Sequence, residues 1–176
     1  MSSTRAGSEK RDKDDFYPTP RAVVDLLFAH PRAPPTPTLD PCAGDGALLY
    51  LHPQMIGVEL DEGRAAGNPR IAQGDGLGFS WAGEHVLTNP PFKHALEFVS
   101  KGVAEAETAT FLLPLNWLAS VRRATWWPKH RCQRIFVLCR RPRFVDGKSD
   151  SIDYAWFHWD KRANKVDPRI ETYWLF

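Results

Sequence analysis

No apolar run in the chain approaches the roughly 20 residues that a helix needs to cross a bilayer, so no membrane partner is expected and the protein is expected to be soluble. The opening stretch MSSTRAGSEKRDKDD lacks the apolar core of a secretion signal; polar and of mixed charge, it predicts a disordered tail over residues 1–15. Cysteine is scarce. Cys42, Cys132 and Cys139 form no CxxC pair, and an odd count without an export signal argues against a disulfide framework and for a reducing, cytoplasmic compartment. The six histidines fall without ligand spacing, which gives no support to a zinc or iron site, and no metal is expected. Repeats and low-complexity tracts are also missing. With 176 residues and 20.0 kDa there is room for one ordinary domain with a real core but not for two.

What is present is unevenly placed. The net charge is only +2, yet residues 120–148 hold nine of the 23 basic residues and one of the 21 acids, Asp146. The rest of the chain is therefore acidic overall. Trp126 and Trp127 lie inside the basic segment, with Trp117 just before it and Phe144 near its end. Basic residues interleaved with aromatics suit a polyanion whose bases can stack, and they also suit a solvated charged face over buried tryptophans.

Along the chain, "TPRAVVDLLFAH" reads as a helix with Thr19 as its cap, Pro20 at its first position and Pro31 as its stop. Short apolar runs then alternate with helical segments: TLD, ALLYL, MIGVEL, DEGRAAG, RIAQGD, EHVLTN, KHALEFVSKGVAEA and TATFLLPL. After a Trp- and Arg-rich stretch come RIFVLC, YAWFHW and RIETYWLF. This order implies an α/β domain: a mostly parallel sheet with helices on its faces, ending in an antiparallel edge.

Ligands of an open parallel sheet bind beyond the carboxyl ends of its strands, so the residues there carry the functional signal. "DPCAGDG" follows the first strand, and Gly44 and Gly46 permit a tight turn and a close backbone approach. A dinucleotide fingerprint would place a third glycine three residues on, where Leu49 stands, so the ligand need not carry a phosphate. "GVELD" ends the second strand with Glu59, placed to accept from both hydroxyls of a ribose, and "AQGDG" ends the third with Asp75, placed to accept from an adenine amine. Three acid-bearing strand ends after a glycine turn point to a nucleoside-type ligand.

The fourth strand runs into "TNPPF". Pro90 and Pro91 bias the residues before them toward extended backbone, which holds two acceptors in place, the side-chain carbonyl of Asn89 and the main-chain carbonyl of Pro90. An aromatic amine is a poor nucleophile because its lone pair is delocalised into the ring. Two carbonyls accepting its two hydrogens favour a pyramidal nitrogen that can attack an electrophile. Phe92 would stack on the base so presented.

YPTP, DPCAGDG, GVELD, GD and NPPF, in that order, together with YAWFHWD, resemble the S-adenosylmethionine-dependent N6-adenine DNA methyltransferases of the small phage and prophage type, over residues 14 to about 174. The resemblance implies a Rossmann-like class I fold with a seven-stranded sheet, a bacterial cytoplasm, S-adenosylmethionine as cofactor and DNA as partner in preference to RNA. It also implies a role for each site residue. Tyr17, Thr19, Pro20, Asp40, Ala43 and Gly44 would hold the methionine part, Glu59 the ribose, Leu60 the face of the adenine, and Asp75 its amine with Gly76 or Leu77. Asn89, Pro90, Pro91 and Phe92 would form the catalytic motif, with Asn89 also touching the cofactor.

Larger members of that family carry a target-recognition domain; residues 16–176 read as one catalytic domain without it, active as a monomer or a homodimer. Nucleic acid would then meet Lys93, Trp117, Arg122, Arg123, Arg140, Arg141, Arg143 and Lys148, a small basic surface that predicts salt-sensitive binding with short or relaxed sequence preference. RNA methyltransferases acting on adenine N6 or guanine N2 share NPPF and remain open, as does a non-catalytic nucleic-acid-binding module. Methylation of a protein glutamine, which usually goes with tyrosine after the two prolines, is disfavoured by Phe92 and the basic segment.

Overall fold

A computed structural model describes residues 17–144, 151–163 and 169–176. The expected tail lies outside these residues. Strands β1 (Leu39–Asp40), β2 (Ile56–Glu59), β3 (Ile71–Gln73), β4 (His85–Thr88), β5 (Thr108–Pro114), β6 (Arg134–Leu138), β7 (Tyr154–Asp160) and β8 (Glu171–Leu175) form one sheet in the order β3-β2-β1-β4-β5-β7-β6-β8. The first five run parallel, whereas β7 runs antiparallel to β5 and β6 on its two sides. The mostly parallel α/β sheet is as the sequence order implies. It has eight strands rather than seven, because the final apolar run pairs in parallel with β6 and becomes the outer strand.

Side-chain alternation along these strands divides the core between two faces. Val86, Phe111, Leu113, Ile135 and Phe157 pack with Phe98 and Val99 of helix α3 (Ala95–Glu105). Their neighbours Leu87, Leu112, Phe136 and Trp156 point the other way, against Val23, Val24 and Leu27 of helix α1 (Arg21–Ala29). Helix α1 begins one residue later than expected. Pro20 occupies its cap position, Val23 N–H donates to the Pro20 carbonyl at 3.1 Å, and Thr19 makes no capping hydrogen bond with the described residues.

Most connections are short. ALLYL, in the helical slot after β1, forms only a 3₁₀ turn at Leu49–Leu51, and α2 (Glu62–Ala65) is a single turn. Where a helix would follow β5, three 3₁₀ turns at Leu115–Leu118, Val121–Arg123 and Trp127–Lys129 run down the α3 side of the sheet. So little backbone covers that face that indoles must fill it. Trp117 is 5% exposed, its ring 5.6 Å from Trp126 and 5.1 Å from Trp127, while Trp127 stacks on Trp159 at 6.1 Å. Trp117 is thus buried beneath the charged surface, whereas Trp126 and Trp127 are half-buried.

Candidate active site

The ends of β1 to β4 open on one cavity of about 470 Å³, within the range of small-molecule sites. After β1 the chain turns through Gly44 and Gly46 at φ 56° and 90°, conformations that favour glycine. Gly76 lies against this turn so closely that a Cβ would meet the Pro41 carbonyl at 2.0 Å. Trp81, fully buried, donates its indole N–H to the Gly76 carbonyl at 3.0 Å and pins the third loop there.

Asp40, Ala43, Glu59, Leu60, Asp75, Gly76 and Leu77 all line the cavity, as do Tyr17 and Thr19 from the segment before α1. Asn89, Pro90, Pro91 and Phe92 line its other wall. Pro20 and Gly44 are absent from the lining. Pro20 is the cap residue of α1, and Gly44 acts through its N–H, which donates to Glu59 Oε2 at 2.8 Å.

The polar groups differ in how completely the fold satisfies them. Glu59 is 8% exposed and accepts from Gly44 N, Asp61 N at 2.9 Å and Arg64 Nε at 3.2 Å. Asp75, which lines the cavity, caps the 3₁₀ turn Gly76–Gly78 by accepting from Leu77 N at 2.9 Å through Oδ1. Asp40 is 2% exposed, and burial pushes its carboxyl up to about 7, against the pull of the Thr88 hydroxyl and the Cys42 N–H. Thr88 Oγ1 meets hydrogen-bond geometry with no described group, so its pull is that of a nearby dipole. Burial, and next the Asp40 charge, holds the Cys42 thiol well above its usual range, so it stays neutral wall.

Asn89 is held from one side only. Its amide Nδ2 donates to the Tyr17 carbonyl at 3.0 Å, while its Oδ1 is buried and accepts from no described group. That bond fixes which end of the amide faces inward. The Pro90 carbonyl likewise receives no backbone donor among the described residues. Phe92 is half-buried, 5.7 Å from Tyr154 between ring centroids.

The expected nucleic-acid contacts separate into two groups. Lys93, Arg122, Arg140, Arg141 and Arg143 are exposed, with Arg141 paired to Asp153 at 2.8 Å. Phe144, next to Arg143 in the chain, packs on the cavity-lining Tyr17 at 5.7 Å and on Tyr154 at 5.1 Å. Trp117 is not available to a base, because it is buried in the aromatic layer described above. Arg123 is drawn into the same layer: its guanidinium lies 4.8 Å from the centre of the Trp117 ring and its Nε donates to the Trp117 carbonyl at 2.7 Å. Lys148 lies outside the described residues. Sequence reasoning missed Arg64, His94 and Phe98 in the cavity lining. For Arg64 a signal existed: Asp61 as a helix cap directly after the second strand turns the following residues back over the strand end.

No helix among the described residues is long and apolar enough to cross a membrane, and none of their His, Cys, Asp and Glu side chains cluster in threes to hold a metal ion.

No family model matches the chain, and no curated protein matches it. Solved structures do. A candidate RNA methyltransferase from Pyrococcus horikoshii is similar at 20% identity and TM-score 0.62, covering 82% of this chain and 86% of that one. A type I restriction-modification methyltransferase subunit from Streptococcus thermophilus is similar at 16% identity and TM-score 0.63, covering 84% of this chain but 45% of its own. A candidate class I S-adenosylmethionine-dependent methyltransferase from Listeria monocytogenes is similar at 13% identity and TM-score 0.59, covering 89% and 65%. The chain thus spans less than half of the bacterial modification subunit. These likenesses define the fold as the Rossmann-like class I methyltransferase fold.

Proposed function

We propose that the chain is an S-adenosylmethionine-dependent methyltransferase that modifies the exocyclic N6 amine of adenine in DNA. The observation that carries this reading is the Asn89 amide, locked through Nδ2 while Oδ1 stays buried without a partner at a strand end beside a nucleoside-sized cavity. A buried acceptor left empty costs about 1–3 kcal/mol, so its presence calls for a ligand donor.

The residues present fit the cofactor. Glu59 offers an acceptor to the ribose, Asp75 a free carboxylate oxygen to the adenine amine, and Leu60 and Leu77 apolar surface to the ring. Tyr17, Thr19, Asp40 and Ala43, which line the cavity, would hold its amino-acid part, with Gly44 acting through its N–H bond to Glu59 and Pro20 through its place at the cap of α1. When bound, S-adenosylmethionine supplies a methyl carbon made electrophilic by a sulfonium. Asn89 Oδ1 and the Pro90 carbonyl accept the two hydrogens of the target amine and free its lone pair from the ring. The nitrogen becomes acidic once alkylated, so the chain needs no strong base. Phe92 packs against the target base, which must leave its stack to reach this depth.

Lys93, Arg122, Arg140, Arg141 and Arg143 supply phosphate contacts that position the strand. RNA is the second reading, favoured by the coverage of 86% of the archaeal candidate RNA methyltransferase. Incubation of the chain with unmethylated DNA or RNA and the cofactor, followed by nucleoside mass spectrometry, tests both. N6-methyladenine in the DNA is the expected product; its appearance in RNA alone moves the substrate, and no methylated base in either rejects the enzyme.

A further inference from the structure

Glu59 is more heavily engaged than an acceptor that awaits two hydroxyls. A carboxylate offers about four lone-pair sites, two on each oxygen. Oε1 takes Asp61 N at 2.9 Å and Arg64 Nε at 3.2 Å, with Arg64 Nη2 also at 3.2 Å, and is full. Oε2 accepts from Gly44 N at 2.8 Å and has room for one donor more. With Arg64 in place, Glu59 keeps one open site, on Oε2, for the two hydroxyls of a ribose.

The group beside it is the Arg64 guanidinium, 31% exposed and part of the same cavity wall. Its place follows from the local chain. Asp61 caps α2 by accepting from Arg64 N at 3.0 Å, which turns the arginine back over the end of β2, and Asp61 Oδ2 lies 3.8 Å from Arg64 Nη2. A guanidinium has five N–H donors, more than one carboxylate oxygen can take, and a hydroxyl oxygen accepts as readily as its proton donates.

We propose that Arg64 is a specificity-determining residue, and that Glu59 and Arg64 together read the ribose edge of the nucleoside as an acceptor–donor pair. One hydroxyl donates to Glu59 Oε2; the other accepts from Arg64. This rests on the reading of the cavity as a nucleoside cofactor site.

Calorimetric titration of the whole chain with S-adenosylhomocysteine and its 2′-deoxy and 3′-deoxy forms, for the native protein and for Arg64→Ala and Arg64→Gln, tests the pair. Arg64→Ala is expected to weaken S-adenosylhomocysteine about tenfold while changing the affinity for one deoxy form less than twofold, since that form has already lost the coupled hydroxyl. Arg64→Gln, which keeps a donor and the fold, is expected to fall between native and Ala. Unchanged or tighter binding of the parent compound by Arg64→Ala would overturn the proposal, the guanidinium then being a bystander or a competitor. Equal weakening of all three ligands would also overturn it, because Arg64 would then act only by orienting Glu59. Failure of the native chain to bind any of them rejects the cofactor site itself, an outcome distinct from both.

Discussion

The cavity wall and the aromatic layer under residues 115–130 are both rich in rings and polar atoms, but they treat their polar atoms differently. In the layer, the indole N–H of Trp126 donates to Ser100 Oγ at 3.0 Å, that of Trp127 to the Trp117 carbonyl at 3.4 Å and that of Trp159 to the His130 carbonyl at 2.8 Å. The fold closes these bonds internally. At the cavity, Asn89 Oδ1 is buried with no partner and Glu59 Oε2 keeps one site open. Thr88 Oγ1 and His158 Nε2 are also buried without a partner among the described residues, but of the three only Asn89 Oδ1 belongs to a residue lining the cavity, where a ligand can reach it.

The largest effect that can break this comparison is Trp117→Ala. Removing a side chain 5% exposed is expected to cost about 3–5 kcal/mol, seen as a lower urea midpoint. Any loss of nucleic-acid affinity should then track the loss of folded protein. Full stability with lost affinity would return Trp117 to the binding surface.

A smaller, pH-dependent effect sharpens the cavity side. The Asp40 carboxyl stands at about 7 in the fold against an ordinary 3.8. Below 3.8 both the folded and the unfolded chain hold the proton and nothing is lost. Between those values the folded state keeps a proton that the unfolded chain releases, so stability falls as the pH rises, by on the order of 2–4 kcal/mol in total. Asp40→Asn abolishes this cost. Its urea midpoint should gain on the native one between pH 4.5 and pH 8, and a constant difference would show that Asp40 ionises normally.

The smallest effect belongs to the rim. Arg143→Ala is expected to reduce the slope of log affinity against log salt by about one while leaving the urea midpoint unchanged. A fall in stability instead would place Arg143 with Arg123, as a structural cation.

The cavity was legible in the sequence because position along a parallel sheet is a one-dimensional matter. Once alternation marks the strands, Asp40, Glu59, Asp75 and Asn89 must fall on the same edge, and the order β3-β2-β1-β4 sets them side by side. Burial of the Trp-rich segment depends on how much backbone covers a face, which composition does not encode. Three 3₁₀ turns look much like one interrupted helix in sequence, yet they leave a space that only indoles fill. The eighth strand was legible as a strand, but its parallel pairing with β6 was not. The partners of Glu59 could not be read either, since a strand-end acid looks the same whether its oxygens are open or already taken.

The measurement that bears most directly on the role of the strand-end asparagine is Asn89→Ala followed by two readouts, methyl transfer to DNA and calorimetric affinity for S-adenosylhomocysteine. Transfer is predicted to fall by at least about a hundredfold, the scale of losing one preorganised group at a reacting centre, with cofactor affinity within threefold of native. Equal losses of both would mean that Asn89 only shapes the wall, and that "NPPF" ends a strand without doing chemistry.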